Sequence, residues 1–455
     1  MSPPSTPRLA SAPPPTTPRP LPTLLDALHY FDHAGQADVL ERIHAALPPD
    51  GLFLTRVDLT LMPIRRRLLA STLLLGLLAG CATVDEPAAP PGPRPPPDMT
   101  RPTQSSPASP AVPDSRQNQS LIGLLLPASV KDKAGWANDL QTAFNHLKIP
   151  QLAETYCAAL AVIEQESSFQ VDPVVPRLPD IVWHELEQRA AQYGIPKLLV
   201  TTAMRKSSPD GRSYQKRIDT LKSEKQLNAL FKDMIAELPF GAKLLADYNP
   251  VRTAGPMQVS IAFAEQQVLE TPYPYRLTSS VRDEVFTRRG GVYFGSAILL
   301  DYPAPYTDVV YRFADFNAGR YSSRNAAFQS ALSRITGKAL VFDGDLLRYE
   351  KGQASAQPSS VEITARSLAN RLKMTTGEIR RDLNLEKTPA FNHSPLFNRV
   401  FALADKAGGA PLPRQAMPQI DLKSPKISRK LTTEWFARRV EGRYRSCLKR
   451  ADGLI

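Results

Sequence analysis

Histidine and cysteine are scarce in this sequence, at six and three residues in 455. Beyond residue 81 the histidines are His146, His184 and His393, and no two of them have metal-ligand spacing. Trp183-His184-Glu185-Leu186-Glu187 starts like a zinc-protease helix but lacks the second His four residues on. Asp343-Gly344-Asp345 is too short for a calcium loop. No metal and no other cofactor is therefore expected. A Gly-rich phosphate loop after a strand is missing too, which removes support for nucleotide chemistry. Strand signals are few and short, and no internal repeat has a convincing period.

Proline is in excess, concentrated in Pro3 to Pro22 and Pro87 to Pro113. The rest of the chain has ordinary apolar content and can bury a sizeable core. The formal charge is +12, and residues 1–80, with seven Arg, no Lys and six acids, hold little of it. So basic a surface suits nucleic acid, anionic lipid or an acidic wall polymer, and charge alone does not choose among them.

The compartment narrows that choice. Met62 to Cys81 reads MPIRRRLLASTLLLGLLAGC: three Arg, the apolar run Leu68 to Leu78, then Leu78-Ala79-Gly80-Cys81. The run is too short to span a bilayer comfortably, which favours a cleaved signal. The segment resembles a bacterial lipoprotein signal ending at its lipobox. The resemblance implies that Cys81 is diacylated, becomes the mature N-terminus and anchors the chain in a membrane. Ala82, where an inner-membrane retention signal usually has Asp, implies the outer membrane with the protein facing the periplasm. Residues 1–61 are read as an upstream extension ahead of the true start at Met62. In an oxidising periplasm Cys157 and Cys447 either pair or remain two separate buried thiols, and spacing does not decide. Nucleic acid is not an expected partner there, although Leu368 to Leu383 has a helix-turn-helix look; a helix pair packed on the core is expected.

Residues 82–118, rich in Pro, Ser and Ala without apolar periodicity, are expected to form an extended tether. Beyond them apolar residues recur at helical spacing. They predict helices from Trp136 to Leu147, Leu152 to Ser167, Ser279 to Asp301, Tyr306 to Gly319, Val361 to Met374, Ser394 to Ala407 and Leu431 to Leu448. The expected fold class is mainly α.

One stretch carries unusual chemistry. Ala161 to Pro173 reads AVIEQESSFQVDP, and on a helix Glu164 and Glu166 lie about 200° apart. Only one of them can flank the apolar stripe, leaving the other solvated. A Glu beside apolar residues is pushed toward its protonated form and suits general-acid work. Further on stand Gly255-Pro256-Met257-Gln258 and Phe316-Asn317-Ala318-Gly319. With Glu166-Ser167-Ser168-Phe169, in this order, these resemble the three motifs of the soluble lytic transglycosylases and the wider lysozyme-like superfamily. The resemblance covers roughly residues 130–335.

It implies a lysozyme-like helical core over residues 119–340, interrupted by a helical insertion at about 174–250, and a C-terminal helical region at 341–455. Helices from Asp180 to Gln192 and Glu224 to Glu237 are expected in the insertion, which is either a lid, wall or partner surface near the site or an elaboration on the far side. The resemblance also implies that Glu166 cleaves the bond between N-acetylmuramic acid and N-acetylglucosamine in peptidoglycan, leaving a 1,6-anhydro product. Ser167, Met257, Gln258, Phe316 and Asn317 would contact the glycan or hold the cleft. This sequence departs from the family at Phe316, where a Tyr hydroxyl usually meets the catalytic carboxylate. It also has Pro256 for the usual Leu. The departure at Phe316 leaves a second reading open, a lysozyme-like lipoprotein that binds peptidoglycan or scaffolds an envelope complex with little or no catalysis.

Overall fold

The computed structural model describes residues 115–238, 240–277, 279–350, 352–422 and 430–452. The extension 1–61, the signal segment with Cys81, and the tether as far as residue 114 lie outside the described residues. Residues 115–118, expected to end the tether, instead open helix α1 (Ser115–Leu125). Asn118 is buried with its amide on Gln151 at 2.6 Å, and Ile122 and Leu125 enter the core. Tertiary contacts thus recruit residues whose composition reads as linker.

Helices α2 (Lys133–Leu147) and α3 (Ala153–Ser167) follow. Every residue of α3 from Tyr156 to Ile163 is buried, so this helix is enclosed on all sides by the core. The insertion then adds α4 (Leu178–Gln192), α5 (Lys197–Met204), α6 (Tyr214–Asp219), α7 (Glu224–Ala236) and the single turn α8 (Gly241–Leu244). A short antiparallel hairpin, β1 (Thr253–Ala254) with β2 (Val259–Ser260), returns the chain to the core. Next come α9 (Ile261–Glu270), α10 (Val281–Val285), α11 (Arg288–Leu300) and α12 (Val310–Ala318). The single helix predicted from Ser279 to Asp301 is broken, because the Thr287 hydroxyl accepts from Gly290 N at 3.0 Å and caps a new start. Helix α11 is buried from Gly290 to Ala297, and a Cβ at Gly295 would collide with Met257.

A second apolar centre forms from α13 (Ser322–Thr336), α14 (Ser360–Ser367), α15 (Ala369–Leu372), α16 (Thr376–Leu383) and α17 (Pro395–Gly408). Phe328, Phe391, Phe397 and Phe401 meet at its middle. The segment with a helix-turn-helix look contributes Leu372, Ile379 and Leu383 to this centre, as expected of a packed helix pair. Arg324 is fully buried beside them. It donates to Thr388 O and Asn392 Oδ1, both at 2.8 Å, and to Glu386 O, and it stacks on Tyr321. Two small hairpins complete this part: β3 (Tyr349–Glu350) with β4 (Gln353–Ala354), and β5 (Asp421–Leu422) with β6 (Leu431–Thr432).

The chain then returns to the first centre. Helix α18 (Thr433–Asp452) lays Phe436, Ala437, Val440 and Cys447 against α3 and α12. Cys447 forms a disulfide with Cys157 of α3, which answers the question left open by spacing. The boundary expected near residue 340 is not where packing changes. Helix α13 already belongs to the second centre, and α18 belongs to the first. The fold class is mainly α.

Candidate functional site

The acidic stretch ends α3. Its last turn is tightened by Ser167, which is buried and donates its hydroxyl to Ile163 O at 2.9 Å. Ser168 and Phe169 then both take left-handed backbone angles, with φ of 49° and 62°. Non-glycine residues seldom adopt that region, so two in succession mark a turn held by its surroundings. Part of that hold is Phe169, whose ring meets Trp136 edge-on at 5.5 Å.

Three side chains project from the last turn. Glu164, expected to be solvated, is instead half-buried and paired with Arg443 of α18 at 2.6 Å. The same guanidinium donates through Nε to Gln165 Oε1 at 3.1 Å. Glu166 is half-buried on the same turn. The C-terminal helix therefore takes Glu164 into an ion pair.

The second motif sits in the β1–β2 hairpin. Gly255 has φ of 73°, and a Cβ there would strike Val285 O, so only glycine fits. Met257 does not line a groove: it is fully buried and packs on Gly295 of α11. Gln258 stands at φ 49° with its amide engaged, accepting from Thr253 Oγ1 at 3.2 Å and donating to Glu224 Oε2 at 3.1 Å.

Glu224 begins α7, so the insertion reaches this motif directly. Residues 222–224 also hold the chain that leaves Glu166. Val175 N donates to Lys222 O at 2.8 Å, and Ser223 Oγ donates to Asp172 Oδ2 at 2.8 Å. The first two motifs are thus joined through the insertion, which is a wall of this region rather than a far-side elaboration.

The third motif closes α12. Asp315 is buried and accepts from Tyr302 and Tyr306 hydroxyls at 3.1 and 2.6 Å, and from Tyr321 N and Ser323 N at 2.8 and 2.7 Å. Burial nevertheless pushes its carboxyl above the ordinary range. Phe316 is half-buried against the first core. Asn317 is exposed, and its Oδ1 accepts from Thr433 Oγ1 at the start of α18 at 2.8 Å. Helix α18 therefore touches the third motif through Thr433 and the first through Arg443.

Reading by motif passed over Asp315, Glu224 and Arg443. Asp315 stands immediately before Phe316-Asn317-Ala318-Gly319. Glu224 looks like an acid in a helix's first turn, and nothing local shows it crossing to Gln258. Arg443 is one of several basic residues between Trp435 and Lys449, and nothing local sets it apart.

A cavity of about 510 Å³ opens on the insertion side of Glu224, between α4, α7 and the strand-like segment 250–253. Glu166 is not among its lining residues.

Residues 129–450 match the family described as a protein of unknown function (DUF1615), and the chain belongs to that family. The match spans both apolar centres, the insertion and most of α18, so the family's unit is this whole assembly. A relative from Escherichia coli (strain K12), "Uncharacterized protein YaiW", is 48% identical over 330 residues, covering 72% of this chain and 89% of that protein. No solved structure matches.

Proposed function

We propose that the protein is a peptidoglycan lytic transglycosylase with a lysozyme-like core, tethered through a lipidated Cys81 to the outer membrane and facing the periplasm. The observation that carries this reading is the setting of Glu166, half-buried on the last turn of a helix that is otherwise enclosed, with its neighbour Glu164 neutralised by Arg443. The Cys157–Cys447 disulfide suits an oxidising compartment.

In the proposed reaction Glu166 gives its proton to the glycosidic oxygen as the bond to the muramoyl C1 breaks. The carboxylate so formed takes the proton of the muramoyl 6-hydroxyl, whose oxygen closes on C1 as the 1,6-anhydro ring. The glutamate ends protonated as it began, and no water is consumed. One carboxylate suffices, whereas glycoside hydrolysis ordinarily employs two.

Digestion of purified sacculi tests this. Anhydro-muropeptides are expected from the wild type and a fall of about 10²–10⁴-fold in Glu166→Gln. Reducing-end products without the anhydro ring would indicate a hydrolase instead. Equal release by the variant would sink the assignment of Glu166.

A second reading, a glycan-binding protein of the same ancestry, is favoured by the internal bonds of the Gln258 and Asn317 amides and by Phe316 lacking a hydroxyl. It predicts that wild type and Glu166→Gln retain intact sacculi equally.

A further inference from the structure

The insertion has a small core of its own. Five of its apolar residues, Leu178, Tyr214, Ile218, Leu221 and Leu230, are buried, while Val182, Leu186, Leu227 and Met234 are only partly so. These four half-buried residues all line the 510 Å³ cavity, together with Phe231. Part of the apolar surface left over by this small core thus faces one concavity, while Val175, Trp183 and Met204, also partly buried, do not line it. Its volume lies within the range of roughly 300–1,000 Å³ typical of small-molecule sites.

The wall chemistry narrows the occupant. Most of the cavity's lining residues are apolar, one of them aromatic, so a sugar or a nucleotide would find few replacements for its hydrogen bonds to water. An alkyl chain loses nothing and gains burial. Charge is confined to the residues Glu185, Arg189, Glu224 and Arg252. Glu224 is engaged by Gln258. Arg189 on α4 and Arg252 on the facing segment are exposed and form no ion pair among the described residues. These two guanidiniums, on different walls, can each donate to a carboxylate, with Glu185 and Glu224 lining the same cavity.

We propose that this cavity binds a long-chain fatty carboxylate, with its tail among Val182, Leu186, Leu227, Phe231 and Met234 and its head at Arg189 and Arg252. The cavity shares Glu224 and Thr253 with the contacts of Gln258 but does not include Glu166, and the proposal does not depend on glycan cleavage. Occupancy would complete the insertion's core from outside.

The test is titration of the delipidated protein with a fluorescent fatty acid, followed by displacement with oleate and with the uncharged oleyl alcohol. One saturable site is expected. Filling the cavity by Met234→Trp, or by the smaller change Leu227→Phe should the first fail to fold, is expected to weaken binding about tenfold or more. Arg189→Ala with Arg252→Ala should weaken oleate about threefold and leave oleyl alcohol unchanged. Leu198→Ser with Leu199→Ser, on the exposed surface of α5, should change neither. Absence of saturable binding, or binding lost through the α5 change and not through cavity filling, would overturn the site. Equal response of oleate and the alcohol to the arginine changes would overturn the head-group assignment.

Discussion

Helix α3 and the insertion helix α5 differ as far as two helices in one chain can. The first buries eight consecutive residues, Tyr156 to Ile163, and is fastened to α18 by a disulfide and by the Arg443–Glu164 pair. The second buries none, and Leu198 and Leu199 stand 73% and 59% exposed. Free energy of opening follows buried apolar contact, so the core around α3 is the last part to open and the insertion the first. Yet the insertion is not idle. Residues 222–224 hold both Gln258 and the chain leaving Glu166, so the less stable region positions parts of the candidate site.

The contrast can be broken from the core side first. Replacing Cys157 and Cys447 by Ser is expected to cost about 2–5 kcal/mol, read as a shift in denaturant midpoint with the insertion's secondary structure retained. Gly295→Ala forces a methyl group onto Met257 and should cost about 1–3 kcal/mol by thermal melting.

A smaller effect lies in pH. Burial raises the Asp315 carboxyl above 3.8, so the folded state holds that proton more tightly than the unfolded chain. The stability this group contributes is present below about 3.8 and is lost as pH rises through the raised folded value. Asp315→Asn should flatten that part of the melting profile. Asp405 works the other way: its hydrogen bonds with Arg414 hold it at about 2, so its contribution is lost only as pH falls toward that value. The two windows are distinct, and subtraction of the variant's profile isolates Asp315. Smallest of all, Leu198→Ser and Leu199→Ser should each shift stability by no more than about 0.5 kcal/mol, since both side chains are largely exposed.

Much of this contrast was legible in the sequence, because helical periodicity is local. The stretch Leu152 to Ser167 predicts α3 to within a residue, and Leu431 to Leu448 finds most of α18. Periodicity does not say which helix packs on which. Placing α18 with a separate C-terminal region failed because its partner, α3, is nearly 300 residues away in sequence. The same distance hid the Arg443–Glu164 pair and left Glu164 looking solvated. Met257 failed for a different reason. Its motif position implies a place at the groove, while the close approach allowed by Gly295 draws that side chain inward. Residues 115–118 show composition misleading at a boundary, since one buried Asn and the apolar residues after it suffice to turn a polar stretch into the first helix.

The joining of α3 to α18 also sets an order of events during synthesis. Cys157 waits for a partner 290 residues further on, which at about 5–20 residues per second is a delay of roughly 15–60 s. Throughout that interval the surface of α3 that α18 will cover has no cover. A product that stops short of residue 433 keeps that apolar surface and a free thiol permanently on display, the features by which chaperones and proteases recognise an unfinished chain. The closing helix thus acts as a check on assembly: the core seals only once Thr433–Asp452 has been made.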